Sequence, residues 1–233
     1  MTLLTMVRAA CAETNQPQPT SVVNSTEVTA QQMLSLANAI GDELQKDYAW
    51  QTLVREASFS AAATASQGTI ISKASDFDRF VNDTMFNRTA GWRVRGPVSA
   101  QEWQAVQASG VSGLDRAFYI RQGNIYMTPT PTAGDSIYFE YVTTKWCESS
   151  GGTAQLAFAA DADVCRLNER LMTMALVYRF RQAKGLPHVE HLARFEKHLK
   201  NLLLSDGAKA ILSMAGPRRM SGVNIPEGSW DLV

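Results

Sequence analysis

The chain has 233 residues, of which 45% are hydrophobic and 19% are charged, and its formal net charge is zero. This composition is sufficient for one compact domain or two small ones, and it gives no bulk electrostatic sign of a nucleic-acid or membrane partner. No apolar run approaches the roughly 20 residues that cross a bilayer, so we expect no membrane partner. Arg8 interrupts the apolar N-terminal stretch, which argues against a secretory signal peptide.

Two helices are predicted at the N-terminal end of the chain. Residues 3–13 repeat apolar side chains on one face, and residues 16–24 form a polar, proline-containing loop. A longer helix is predicted from about Thr29 to Tyr48, where Thr29 and Gln32 resemble a capping box. The apolar stripes consist of Leu3, Leu4, Val7, Ala10 and Cys11 in the first helix and Met33, Leu36, Ala37, Ile40 and Leu44 in the second.

From Glu56 to about Leu156 the apolar residues recur with a period of two, which is typical of strands. A short helix interrupts them, with Ser99 as its N-cap and Glu102 as the partner in a capping box. A tight turn at residues 122–124 and a proline-containing loop predict a small antiparallel β-meander over residues 118–143. The candidate strands are Ala57–Thr64, Thr69–Lys73, Asn82–Asn87, Trp92–Pro97, Phe118–Tyr126, Ser136–Thr143 and Gln155–Phe158.

Two further helices are predicted near the C-terminal end. The first begins at Asp161, and Asp161 and Asp163 are interpreted as carboxylates at its positive N-terminal end. Gly185 ends this helix and Pro187 begins the next, so an antiparallel helical hairpin is expected. The apolar stripes are Val164, Leu167, Leu171, Met174 and Tyr178 in the first helix and Val189, Leu192, Phe195, Leu199 and Leu202 in the second.

The order of elements predicts an α+β fold. The N- and C-terminal helices form a bundle, an antiparallel β subdomain is inserted between them, and an extended tail follows. We divide the chain into residues 1–55 for the first helices, 56–158 for the insert, 159–214 for the helical hairpin and 215–233 for the C-terminal arm. A disordered C-terminus is the default interpretation of the arm, but its apolar residues, Trp230 above all, favour docking onto a partner.

Catalytic and metal-binding patterns are weak in this chain. The histidines, His188, His191 and His198, share one predicted helix, where solvated side chains are favoured over metal ligands. Turn formation and surface pairing account for Asp76, Asp78 and Asp83. The cysteines, Cys11, Cys147 and Cys165, are interpreted as buried free thiols. Glu102, Glu140 and Cys147 are the candidates for a tail-associated cell-wall enzyme, but the sequence gives none of them a catalytic partner. We therefore predict neither a cofactor nor an enzymatic activity.

Basic residues are concentrated in the two C-terminal helices. Between Arg166 and Lys200 there are eight lysines and arginines but three glutamates, an excess of five positive charges in a neutral chain. A solvated helix face is the default interpretation for a monomer, and a DNA-facing or inter-subunit surface is favoured for a ring. A soluble nucleic-acid-binding module that uses residues 161–204 is the alternative. The candidate residues are Arg166, Arg170, Arg181, Lys184, Lys197 and Lys200.

Several segments in this order resemble the head-to-tail adaptor (connector, head-completion) proteins of tailed, mainly short-tailed, bacteriophages. The resemblance covers residues 3–216, and the segments support it together because none is specific alone. They are TLLTMVRAACAETNQPQPTSVVNST, DYAWQTLVREASF, SDFDRFVNDTMFNRTAGWRVRGPVSAQEWQ, IRQGNIYMTPTPTAGDSIYFEYVTTKW and LNERLMTMALVYRFRQAKGLPHVEHLARFEKHLKNLLLSDGAKAILSM.

The resemblance implies a structural protein of the virion neck that is made in the host cytoplasm. Such proteins form a ring, commonly of twelve copies, beneath the portal protein. The ring extends the channel for double-stranded DNA, without sequence-specific contacts, and docks a tail hub or nozzle protein. The family has no catalytic residues to transfer. The C-terminal arm would reach the portal, and its candidate docking residues are Arg218, Arg219, Ile225, Trp230 and Leu232.

Overall fold

Helices at both ends of the chain enclose a central β region in the computed structural model, which describes residues 1–109 and 116–206. The predicted α+β class is confirmed. The helices are α1 (Leu3–Glu13), α2 (Val28–Asp47), α3 (Ile70–Lys73), α4 (Ala100–Ser109), α5 (Glu169–Ala183) and α6 (Val189–Asp206). The strands are β1 (Val54–Ser60), β2 (Ser66–Thr69), β3 (Phe77–Phe80), β4 (Phe86–Asn87), β5 (Trp92–Arg93), β6 (Ala117–Arg121), β7 (Asn124–Thr128), β8 (Ser136–Thr143), β9 (Cys147–Glu148), β10 (Ala154–Gln155) and β11 (Val164–Cys165). The predicted arm, residues 215–233, lies outside the described residues.

The helical bundle is built around α5, which packs against α1, α2 and α6. Seven of its fifteen residues are buried, so its apolar stripe is wider than that of an ordinary surface helix. The helix begins where Asn168 Oδ1 accepts a hydrogen bond from the Leu171 backbone N–H at 3.0 Å, and Gly185, at φ 68°, lies just beyond its end. The helical hairpin of α5 and α6 is therefore confirmed, with Gly185 as the predicted stop.

The two predicted capping boxes differ in outcome. At α4, the backbone N–H of Glu102 donates to Ser99 Oγ at 3.2 Å and the N–H of Ser99 donates to Glu102 Oε2 at 3.1 Å, which confirms the prediction. At α2, the box at Thr29 and Gln32 is wrong. The helix already begins at Val28, and the preceding residue, Glu27, makes no side-chain capping bond. Burial of Met33, Ala37 and Ile40 determines the position of α2 instead.

The largest sheet is centred on β8, which was predicted with its observed bounds. Along one edge β8 pairs antiparallel with all of β1, from Val54 opposite Val142 to Ser60 opposite Ser136. Its other edge pairs with β3 and β4, and β5 extends the sheet beyond β4. Buried side chains of this sheet and of the neighbouring β6–β7 hairpin form a second core, separate from that of the bundle: Phe59, Met85, Phe118, Ile125, Ile137 and Phe139.

A second sheet contains β2, β7 and β6, and the turn between β6 and β7 is as predicted. Gln122 and Gly123 both have positive φ, 52° and 72°, as a two-residue hairpin turn requires. The meander is wrong, because β7 and β8 belong to different sheets. Pro129 and Pro131 lie in the connecting segment, where their missing N–H groups prevent a continuous ladder.

The third sheet, β10–β9–β11, corrects the predicted start of α5. Residues Val164 and Cys165 pair with β9 as a strand, and the helix begins at Glu169 rather than Asp161. Both aspartates bind loop backbone. Asp161 Oδ1 accepts hydrogen bonds from the N–H groups of residues 22 and 23, and Asp163 Oδ2 accepts from those of residues 159 and 160. These carboxylates hold a loop instead of capping a helix.

Other local predictions are corrected by tertiary contacts. Residues 70–73, predicted as a strand, form the helical turn α3, and the Ile70 backbone N–H donates to the Gly123 carbonyl. The predicted strands at 57–64, 82–87, 92–97 and 155–158 shorten or shift to β1, β4, β5 and β10. Strand β3, where only turn-forming aspartates were expected, pairs with β8. Val189, predicted to face inward, is 74% exposed.

Candidate assembly surfaces

The six basic candidate residues do not lie on a single helix face. Arg166 precedes α5, Arg170 is in its first turn, and Arg181 and Lys184 lie at its far end. The guanidinium of Arg166 lies 3.5 Å from the carboxylate of Glu148, and Arg170 forms an ion pair with Glu13 at 3.0 Å. Both arginines therefore connect parts of the fold and are less available to an external phosphate.

Local contacts also hold the basic residues at the end of α5. Arg181 Nε donates to the Pro187 carbonyl at 2.8 Å and so bridges the turn between α5 and α6. The Lys184 ammonium lies 5.4 Å from the centre of the Phe180 ring, within the range of a cation–π contact. The exposed position of Lys184 leaves this contact weak, so Lys184 keeps its charge at the surface.

Two exposed basic residues, Lys197 and Lys200, lie on α6. This helix lies wholly within the described residues and buries a single side chain, Phe195, although Leu192, Leu199 and Leu202 are partly covered. Lys197 and Lys200 point away from Phe195, because two and five residues correspond to rotations of about 200° and 140° around a helix. Val189 and Leu204, 74% and 68% exposed, lie on the same side. α6 thus presents a mixed basic and apolar surface.

Acidic residues are exposed on the C-terminal third of α2. Asp42, Glu43 and Asp47 are exposed there together with Lys46. Asp42 Oδ1 accepts a hydrogen bond from the Trp146 indole N–H at 3.0 Å, and Glu43 forms an ion pair with Arg179. The bundle therefore carries opposite charge on α2 and α6.

A buried polar cluster lies where the insert meets the bundle. The Asp76 carboxylate accepts hydrogen bonds from Tyr141 Oη at 2.7 Å, Thr143 Oγ1 at 2.6 Å and Arg55 Nη1 at 3.0 Å. Burial opposes ionisation of Asp76, but the hydrogen bonds from Thr143 and Tyr141 and the charge of Arg55 outweigh it and lower its pKa. Burial and the adjacent carboxylate raise the pKa of Tyr141 to about 12.

Arg79 fastens the insert to the end of α2. Its Nη2 atom donates to the backbone carbonyls of Gln45 and Tyr48 at 3.1 and 2.6 Å, and its Nη1 atom donates to Asp78. The carbonyl groups at a helix C-terminus lack intrahelical partners and carry partial negative charge, so a guanidinium satisfies both requirements. Sequence reasoning missed this contact, which has no local signature. It fixes how the insert projects from the bundle.

An aromatic surface covers the outer face of the β6–β7 hairpin. The rings of Trp103 and Tyr119 are stacked with centroids 5.5 Å apart, and Tyr119 lies directly opposite Tyr126 in the next strand. The Arg121 guanidinium lies 4.9 Å from the centre of the Tyr126 ring. Tryptophan, tyrosine and arginine are the residues enriched at the energetic centres of protein interfaces.

The catalytic candidates are held in structural roles or stand apart. Hydrogen bonds from the Ser99 backbone and hydroxyl lower the pKa of Glu102, which serves as the cap of α4. Burial raises the pKa of the Cys147 thiol to about 12, unlike that of a nucleophilic cysteine. Cys11, Cys147 and Cys165 are buried free thiols, as predicted. Within residues 1–109 and 116–206, no three histidine, cysteine or carboxylate side chains come together as metal ligands.

The same described portion of the chain contains no helix that is both long enough and apolar enough to cross a membrane.

The SU10 adaptor protein family matches residues 1–221, which include the bundle and the whole insert. The chain belongs to the SU10 adaptor protein family. It is therefore a phage adaptor protein, a structural component of the virion neck that contacts other head and tail proteins. No curated protein matches the adaptor.

Proposed function

We propose that this adaptor forms a ring of twelve copies beneath the portal protein of a tailed phage, where it extends the DNA channel and docks a tail hub or nozzle protein. The observation that carries the proposal is the family match over residues 1–221, which includes both the bundle and the insert. The structure supplies surfaces suited to these contacts, on α6, on α2 and on the β6–β7 hairpin.

The C-terminal arm is assigned to the portal in this proposal. Arg218 and Arg219 would meet acidic groups, and Ile225, Trp230 and Leu232 would fill apolar pockets as the arm orders on binding. These residues lie outside the described part of the chain, so the assignment is argued from composition. An arm that docks in an extended form pays an ordering cost on binding and obtains its affinity from a few anchors.

The insert is assigned to the tail side. An aromatic surface projects from the insert and consists of Trp103, Tyr119, Tyr126 and Arg121. Arg79 ties the base of the insert to the end of α2. A rigid attachment holds such a surface in one orientation relative to the ring, which favours docking of a second protein ring. Double-stranded DNA passes through the lumen without sequence readout, and Lys184 is the basic candidate at the end of α5 that keeps its charge exposed.

Light scattering on the purified adaptor, alone and mixed with portal rings of the same phage, tests this proposal. We expect the mass of the portal complex to rise by twelve adaptor copies. Deletion of residues 217–233 should abolish loading while the free protein keeps its thermal unfolding midpoint. Trp230→Ala should weaken loading at least tenfold, and Ser221→Ala in the same arm is the matched control. A wild-type protein that ignores the portal at every concentration would overturn the proposal.

A further inference from the structure

The flanks of the bundle formed by α2 and α6 carry opposite charge at the same height along it. Tyr178 and Arg179 are consecutive residues of α5, so their side chains leave the helix about 100° apart. The Tyr178 ring packs on Phe195 of α6 with centroids 5.1 Å apart, and Arg179 forms an ion pair with Glu43 of α2. Arg179 Nε also donates to the Tyr178 hydroxyl at 2.9 Å, so residues 43 and 195 meet neighbouring side chains of α5 at one level.

A second contact shows that α2 and α6 run in the same direction. The backbone N–H of Gln51, just beyond α2, donates to Asp206 Oδ2 at the end of α6 at 3.0 Å. From the first level to the second, the chain advances by eight residues on the α2 side, from 43 to 51, and by eleven on the α6 side, from 195 to 206. The acids Asp42, Glu43 and Asp47 and the basic residues Arg194, Lys197 and Lys200 thus lie in the same layer of the bundle.

We propose that the exposed side of α6 packs against the C-terminal third of α2 in the next copy of this chain, head to tail around the ring. Rotation about an axis roughly parallel to the bundle leaves the height of every residue unchanged. It would therefore bring the basic layer of one copy against the acidic layer of its neighbour. Two different surfaces of the chain make a heterologous contact, the kind that can close into a ring. This inference rests on the proposed ring and names the surfaces that form it.

Apolar surface on α6 supports the same assignment. Val189 and Leu204, 74% and 68% exposed, lie on its outer side near the two ends of the helix, with the lysines between them. Apolar contact supplies affinity in protein interfaces, whereas complementary charge sets the partner and speeds the encounter. Lys46 and Arg179 accompany the three acids on α2 and leave one net negative charge there, and Glu196 accompanies the three basic residues on α6 and leaves two net positive charges. Exposed ion pairs are screened by salt, so the contact should weaken as salt concentration rises.

Charge reversal on the two surfaces tests the pairing. The α6 variant is Lys197→Glu with Lys200→Glu, and the α2 variant is Asp47→Lys, which leaves the ion pair of Glu43 with Arg179 intact. Each variant alone places like charges at every contact, and we expect the concentration for half-maximal ring formation on portal rings to rise at least tenfold. An equimolar mixture of the two variants places opposite charges at every contact in an alternating ring of even copy number. The mixture should assemble within about threefold of the wild-type concentration.

Two controls make the outcomes distinct. Arg93→Glu reverses an exposed charge in the insert, away from both helices, and should leave ring mass unchanged. Thermal unfolding of every variant verifies that the bundle has folded. If the wild type loads as a ring and the α6 variant loads equally well, the inference is wrong and the proposed function stands. If both variants fail alone and the mixture also fails, α2 and α6 are not partners. A wild type that never loads overturns the ring and the inference together.

Discussion

Gly41, in the second half of α2, lies directly against the six-membered ring of the Trp146 indole. A Cβ at position 41 would overlap three carbon atoms of that ring, and Trp146 is fully buried between α2 and the segment that carries β9. The indole N–H donates to Asp42, the next residue of α2, which fixes the ring in place. The missing side chain of Gly41 thus permits α2 and the third sheet to approach closely.

Gly41→Ala should therefore destabilise the protein, although alanine normally favours a helix. The gain in helix propensity is about 1 kcal/mol, and forced overpacking of a rigid buried ring costs about 1–3 kcal/mol or more. We expect the free energy of unfolding in urea to fall by about 2 kcal/mol. Gly151→Ala is the matched control, because an added Cβ there meets Ser149 Oγ at an ordinary 3.8 Å. Unchanged stability of Gly41→Ala would mean that Trp146 moves freely.

The fold and its surfaces differ in how far the sequence predicts them. Strand β8 and the Ser99–Glu102 box were predictable because alternation and capping are local patterns. The start of α5 was not, since the spacing of Val164 and Leu167 imitates a helix. What overrides that spacing is long-range pairing, because Val164 and Cys165 form a strand against β9.

Strand β3 was missed for the same reason. Asp76 looks like a turn residue in the sequence, and only Tyr141, Thr143 and Arg55, distant along the chain, make its burial possible. The basic residues show most clearly which contacts the sequence does not predict. Their number is visible in the sequence, but the pairing of Arg170 with Glu13, 157 residues away, depends on the packing of α1 against α5.

The raised pKa of the Tyr141 phenol predicts that the protein loses stability at alkaline pH. Its pKa is raised to about 12 in the folded protein, because the hydroxyl is buried and donates to the Asp76 carboxylate. The phenol of an unfolded tyrosine titrates near 10. The folded state therefore retains a proton that the unfolded state loses between pH 10 and 12, and stability that is complete below pH 10 falls through this window.

The measurement compares the wild type with Tyr141→Phe by urea unfolding between pH 8 and 11. Above pH 10 the wild-type advantage over the variant should shrink by about 1 kcal/mol per pH unit, because the phenylalanine has no proton to lose. Tyr119→Phe, in strand β6 of the hairpin, is the control, because it removes a tyrosine hydroxyl that does not bind Asp76. Parallel pH profiles for the wild type and Tyr141→Phe would contradict the role of Asp76.

Arg79→Ala should loosen the insert from the bundle without unfolding either. The variant leaves the carbonyls of Gln45 and Tyr48 without their charged donor, and hydrogen bonds to charged groups contribute about 1.5–3 kcal/mol. We expect amide exchange at the end of α2 and in β3 to accelerate at least tenfold, while the centre of α5 stays protected. Arg121→Ala, an exposed arginine of the insert, is the control. A uniform acceleration throughout the protein would indicate global destabilisation instead.

The cysteines should be unreactive in the folded adaptor. Cys147 and Cys165 lie directly opposite each other in β9 and β11, and burial raises the pKa of each thiol to about 12. Burial also raises the pKa of Cys11 on α1. The thiolate is the reacting form, so at pH 8 both its scarcity and the surrounding core slow attack on an aromatic disulfide reagent. We expect labelling of the native protein to be at least a hundredfold slower than in 6 M guanidinium chloride.

The labelling rate in a destabilised variant shows whether burial or the raised pKa causes the slow reaction of the thiols. If burial controls the rate, labelling of Cys147 and Cys165 should accelerate in Gly41→Ala in proportion to its loss of stability, because that substitution disturbs the Trp146 packing next to β9. Cys11 lies on α1 and is distant in sequence from this contact. Its labelling rate should rise only as far as the free energy of global unfolding falls. Mass spectrometry of the labelled peptides assigns each rate to its residue. Rapid labelling of native Cys147 at pH 8 would contradict the closed third sheet described above.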